Sequence, residues 1–110
     1  MWNHPIHEAA KRGDLATLKK LLKGSLFSKP VDVDEPGNGL RTALHVAAAA
    51  DKVEAMKLLL EHRATVDIAD SDSETALHLA AHTSGLDAVK LLVEHKATVD
   101  KASALAQALE

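Results

Sequence analysis

Residues Thr42–Asp67 recur at Thr75–Asp100 with a constant offset of 33 and no gap, and 16 of the 26 aligned positions are identical. A unit of that length cannot bury an apolar face on its own, so such units must stack side by side instead of closing around one core. The repeat also constrains function. Stacked units seldom carry catalysis within the repeat, and they expose a long surface that other macromolecules can read.

Each unit reads as a helix, a tight turn, a second helix and a loop. In the middle unit Ala43–Ala50 is the expected first helix, capped by Thr42, and Val53–Glu61 is the second. Val53, Met56, Leu59 and Leu60 recur at the spacing of one buried stripe. The third unit repeats this with Thr75 as cap, Ala76–His82 as first helix and Leu86, Val89, Leu92 and Val93 as the stripe. A degenerate first unit precedes both. His4–Ala10 aligns with Thr42–Ala48, which puts Pro5 at the first helical position, where its missing N–H is harmless. Gly13 makes the turn, and Leu15, Leu18, Leu21 and Leu22 form the stripe. His7 precedes His45 by 38 residues, so this unit carries five more than the others, assigned to Ser25–Lys29. The expected architecture is a single all-α solenoid with repeats at about 3–36, 37–69 and 70–102 and a truncated cap helix over 103–110. Ser103 would cap that last helix, with Leu105 and Leu109 facing the third unit. Its Ala-rich outer side leaves open a piece of a longer array.

Composition agrees with thin helical layers. Apolar residues make up 46% of the chain but aromatics only 2%, so Leu, Val, Ile and Ala must build the interior. The formal net charge of −3 argues against nucleic acid as the main partner. The charge is uneven: residues 1–31 carry six basic and two acidic groups, +4, which leaves −7 for the rest. There is no cysteine, no stretch of membrane-spanning length and no signal-like N-terminus, so the expectation is an intracellular, cytoplasmic monomer without membrane contact, with the nucleus also open.

Thr42-Ala43-Leu44-His45-Val46-Ala47-Ala48 and Thr75-Ala76-Leu77-His78-Leu79-Ala80-Ala81 carry a T-x-L-H-x-A-A pattern. It is backed by Leu58-Leu59-Leu60 and Leu91-Leu92-Val93 and followed by Ala64-Thr65-Val66-Asp67 and Ala97-Thr98-Val99-Asp100. In 33-residue units this resembles the ankyrin repeat, over roughly residues 3–102. The resemblance implies an all-α ankyrin-type fold and a hydrogen bond between each motif histidine and its capping threonine. The departures are local. Ala43 and Ala76 replace the usual Pro, Asp51 and Ser84 the usual turn Gly, and Arg63 and Lys96 the Gly that ends the second helix. The last two positions favour left-handed backbone, so lower stability is expected than for an idealised repeat.

Catalytic signatures are lacking: no Gly-rich phosphate loop, no G-x-S-x-G, and neither Cys nor Tyr. No cofactor is expected. His78 and His82, spaced i, i+4, have the spacing of a zinc pair, but His78 shares its repeat position with His45, and His62 pairs likewise with His95 at a helix end. The structural reading is therefore preferred and no metal site is assigned. His82 stands apart, because its counterpart is Ala49. Asp32, Asp34 and Glu35 lack the oxygen-ligand spacing of a calcium loop and read as a solvated hairpin.

The resemblance implies a concave surface for a protein partner, built from inner helices and hairpin tips. By position it takes Lys11 and Arg12, Ala49 and Ala50, and His82 and Thr83 on successive inner helices. The tips contribute Asn38, Gly39 and Arg41, then Ser71, Asp72 and Glu74. Such a surface runs from basic through small and apolar to acidic, with Asp70 counted in the acidic part. Trp2, Leu26 and Phe27 are expected to pack on the first unit. A non-catalytic protein-interaction module is the preferred reading. A structural or engineered scaffold without a native partner, and a metal site at His78 and His82, are the alternatives.

Overall fold

The computed structural model describes residues 5–26 and 29–96. Among these, six helices form three helix-turn-helix pairs and no β-strand occurs: α1 (Pro5–Arg12) with α2 (Leu15–Lys23), α3 (Ala43–Ala49) with α4 (Val53–Glu61), and α5 (Ala76–His82) with α6 (residues 86–96). A 3₁₀ turn, Asn38–Leu40, marks the tip of the hairpin before α3. Helix α3 touches α1 on one side and α5 on the other, and α2 touches α4, so the pairs stack in register as inner and outer rows. The expected cap helix over 103–110, the hairpin Ala97–Asp100, Trp2 and Phe27 lie outside the described residues.

Within each pair the turn is the same object three times. Gly13, Asp51 and Ser84 adopt φ of 70°, 56° and 56°, and the residue after each donates its N–H to the carbonyl of Ala9, Ala47 or Ala80 at 2.9–3.0 Å. Helix α3 ends one residue earlier than the sequence suggests, because Ala50 leaves helical geometry to become the C-cap. Helix α4 closes through Arg63 in left-handed backbone, φ 67°, which lets the Ala64 N–H reach back to the Leu59 carbonyl. The corresponding carbonyl in α2, that of Leu21, accepts instead from Val31, at 2.8 Å. The five additional residues of the first unit therefore fall, in the sequence, between Gly24 and Val31.

The core is built of small residues between leucines. Ala9, Ala10, Ala43, Ala47, Ala48, Ala76 and Ala80 are buried along the inner row, beside Leu18, Leu22, Met56, Leu59 and Leu92. Alanine at the contact lets neighbouring helices approach closely, so dispersion contacts are made by backbone as well as side chains. The middle pair is covered from both sides, and α4 accordingly buries Ala55, Met56, Leu58, Leu59 and Leu60. Two members of the third stripe do not behave as their repeat positions predict. Leu86 is 65% and Val93 51% exposed, whereas Leu60, the counterpart of Val93, is 7% exposed. Among the described residues no further unit lies beyond the third, so the apolar face that the second unit buries stays open here. Leu26 likewise fails to pack on the first unit: it is 96% exposed, carried outward by the loop after α2.

Two stability predictions follow from these contrasts. Leu59→Ala will destabilise the fold by about 2–5 kcal/mol and Leu86→Ala by less than about 0.5 kcal/mol, measured as urea-unfolding midpoints by circular dichroism. Replacing Arg63 by Gly will raise the midpoint, by about 0.5–1 kcal/mol, because glycine accepts the left-handed conformation without steric strain.

Candidate functional site

The inner helices owe their placement to a histidine clamp. In α3 the Thr42 hydroxyl accepts from the His45 N–H at 3.4 Å, and His45 Nδ1 accepts from the Thr42 N–H at 3.0 Å. Because Nδ1 is an acceptor, the ring proton sits on Nε2, which donates to the Glu74 carbonyl at 2.9 Å. One buried side chain thus caps its own helix and fastens the next hairpin. His7 is also bonded through Nε2, 2.8 Å from the carbonyl of Glu35, two residues before the first hairpin rather than at its close. Its ring closes over Gly37, where an added Cβ would lie 3.0 Å from Nε2, so a side chain at this position would press on the His7 ring. In α5, His78 Nδ1 accepts from the Thr75 N–H at 2.9 Å, but its ring is exposed.

The hairpins are joined to each other as well. Gly37 and Asp70 each donate a backbone N–H to the carbonyl four residues on, at 2.8 and 2.9 Å, and Leu40 and Ser73 turn the tips with φ of 61° and 62°. The Ser71 N–H then bonds the Gly39 carbonyl at 2.8 Å, linking one tip to the next. Asp34 belongs to this scaffolding, since its carboxylate accepts from the Thr65 N–H at 2.9 Å and hydroxyl at 2.7 Å.

Asp70 is where the structure departs most from the expected acidic surface. It is only 6% exposed. Its Oδ1 accepts from the N–H groups of Glu74 and Asp72, both at 2.9 Å, and Oδ2 from Arg41 Nε at 3.2 Å. These bonds, that from Glu74 foremost, hold its carboxyl below the ordinary value of 3.8, and burial opposes them. Asp70, Asp72 and Glu74 bring carboxylate oxygens within 4.8 Å of one another. The hydrogen bonds of Asp70 account for the cluster as a folded hairpin.

The candidate residues divide into two groups. Lys11, Asn38, Arg41, Ala49 and Ala50 come together, with His7 and Val46, around a groove of about 400 Å³. The methyl groups of Ala49 and Ala50 and the side chain of Val46 form its apolar side, and its charged lining residues are cationic. His7 and Val46 were legible as neighbours: each stands one helical turn before a named residue, His7 before Lys11 and Val46 before Ala49 and Ala50. Arg12, Ser71, Asp72, Glu74, His82 and Thr83 do not line it. Arg12 instead stands 3.8 Å from Glu8, and Thr83 donates its hydroxyl to the Ala80 carbonyl at 3.0 Å. His82 and Glu74 meet each other, Nε2 to Oε2 at 3.0 Å. A second cavity, of about 490 Å³, opens on the exposed face of the third unit beside Leu77, His78, Leu92 and Val93, and the sequence reading did not identify it.

Stacked helix pairs joined by hydrogen-bonded hairpins define a repeat solenoid. A family model for ankyrin repeats, in three copies, matches residues 6–103, and the chain belongs to the ankyrin repeat family. Repeats of this family are generally non-catalytic modules of protein interaction. The chain is 40% identical over 63 residues to the mouse ankyrin repeat and SOCS box protein 11, covering 57% of this chain and 18% of that protein. It is 39% identical over 64 residues to palmitoyltransferase akr1 of Schizosaccharomyces pombe, covering 58% and 9%. It is also 39% identical over 61 residues to the mouse transient receptor potential cation channel subfamily V member 5, covering 56% and 8%. The chain thus matches less than a fifth of each relative. No helix among the described residues is long and apolar enough to cross a membrane.

A group whose folded pKa is depressed stabilises the fold fully above its unfolded value and ceases to do so as pH falls through the folded one. Asp70→Asn will therefore lower the thermal midpoint at pH 7, and the gap to the parent will close as pH falls below 3.8. Melting curves of both proteins across that range measure it.

Proposed function

We propose that the chain is a non-catalytic module that binds a protein segment in the groove between the inner helices α1 and α3 and the Asn38–Arg41 hairpin. The observation that carries this reading is the convergence of Lys11, Asn38, Arg41, Ala49 and Ala50, drawn from three separate elements, on one concave site. Its floor is apolar and its rim polar, the distribution found where protein surfaces recognise one another. Helices α1 and α3 are tied down by the buried His7 and His45 bonds, and the hairpin by the Gly37–Arg41, Ser71–Gly39 and Arg41–Asp70 bonds, so little conformational entropy is lost when a partner docks.

The test is affinity capture from a lysate of the source organism with the parent chain and the Ala49→Arg/Ala50→Glu double variant, both verified as folded by circular dichroism. The expected result is a protein retained by the parent and lost by the variant, whose purified form then binds the parent in calorimetry. Equal retention by both chains would remove the groove as the binding site. If the parent retains nothing, the module reading gives way to that of a scaffold without a native partner.

A further inference from the structure

The groove has a chemical polarity that narrows its partner. Of the three inner helices, the same repeat position carries Lys11, Ala49 and His82, and the groove takes in only the first two. Lys11 forms no ion pair or hydrogen bond among the described residues. Arg41 is held differently: its Nε is bonded to the buried Asp70 carboxylate at 3.2 Å, and its two Nη groups make no hydrogen bond among the described residues. Asp70 is itself anchored by the Glu74 and Asp72 N–H groups, so Arg41 is presented to the groove by a buried, rigid acceptor. No carboxylate lines the cavity. A basic or neutral occupant would leave Lys11 uncompensated, whereas a carboxylate would form charge-assisted hydrogen bonds with either cation.

Resting on the reading above, we infer that the occupant is an acidic peptide segment of a protein partner, with an Asp or Glu at the Lys11 and Arg41 side and an aliphatic residue close to it in sequence seated over Ala49 and Ala50. Lys11 supplies a mobile point charge and Arg41 a planar donor fixed in direction. Asp70 acts as a positioning residue that aims Arg41. The shallow floor, made of alanine methyls and Val46, takes a compact aliphatic side chain.

Random heptapeptides displayed on phage are selected on the whole chain, with the Ala49→Arg variant for counter-selection, and clones are then compared on Lys11→Glu and Lys11→Gln at low and high salt. The expected outcome is enrichment of peptides with Asp or Glu within about two residues of Leu, Val or Ile. Their retention should fall about 10-fold on Lys11→Gln, further on Lys11→Glu, and with rising salt. Peptides that need Ala49 but lack an acid, or that ignore both Lys11 variants, would overturn the acidic-segment inference while leaving the groove as a binding site. Failure to enrich any peptide that distinguishes the parent from Ala49→Arg would overturn both. Since Lys11 is exposed on α1, a loss of helical signal is not expected in either variant, and thermal melts confirm that each remains folded.

Discussion

His45 fastens three things at once: the start of its own helix, the capping Thr42, and the carbonyl of Glu74 in the next repeat. The geometry allows this because imidazole has an acceptor and a donor on opposite sides of one rigid ring. Once the Thr42 N–H takes Nδ1, the proton on Nε2 is committed outward to the neighbouring hairpin. Capping and stacking are therefore one interaction, and a repeat cannot loosen its helix start without also loosening its neighbour. His7 uses its Nε2 on a different partner, the Glu35 carbonyl at the end of its own unit, just before the next hairpin begins. Nearest-neighbour fastening of the kind that His45 makes is how a solenoid of small units acquires a stability that no unit has alone.

The hairpins extend that fastening along the edge of the stack and bring the candidate site into being. Asp34 to Thr65, Gly39 to Ser71 and Arg41 to Asp70 each cross from one repeat to the next. Arg41 thereby serves both stability and presentation. Its Nε is bonded within the protein, and Arg41 is also among the residues that line the groove. Arg41 thus belongs both to the hydrogen bonds that join the repeats and to the lining of the groove.

Much of the fold was legible in a single sequence because identical packing demands identical side chains. Thr42 and Thr75, His45 and His78, and the Leu-rich second helices announce themselves by recurring in register. Arg63 was legible as a left-handed position, and so it is. Leu40 and Ser73 were not, because nothing in an ordinary Leu or Ser marks positive φ; the hairpin bonds around them impose it. Burial of Asp70 was equally hidden. In sequence it joins Asp72 and Glu74 as one of three nearby acids, and only the convergence of two backbone N–H groups and Arg41 separates it from them.

Periodicity by itself determined the helix pairs, their order and the composition of their core, since these depend on local spacing that every copy repeats. Tertiary structure decided what differs between copies. Leu60 is buried and its counterpart Val93 exposed because burial requires a neighbour, and a repeat position does not specify one. Lys11 and Ala49 line a groove while His82, at the same position one repeat on, pairs with Glu74. Local propensity assigns a residue to a helix face, but which atoms share a cavity depends on how two repeats and a hairpin meet in space.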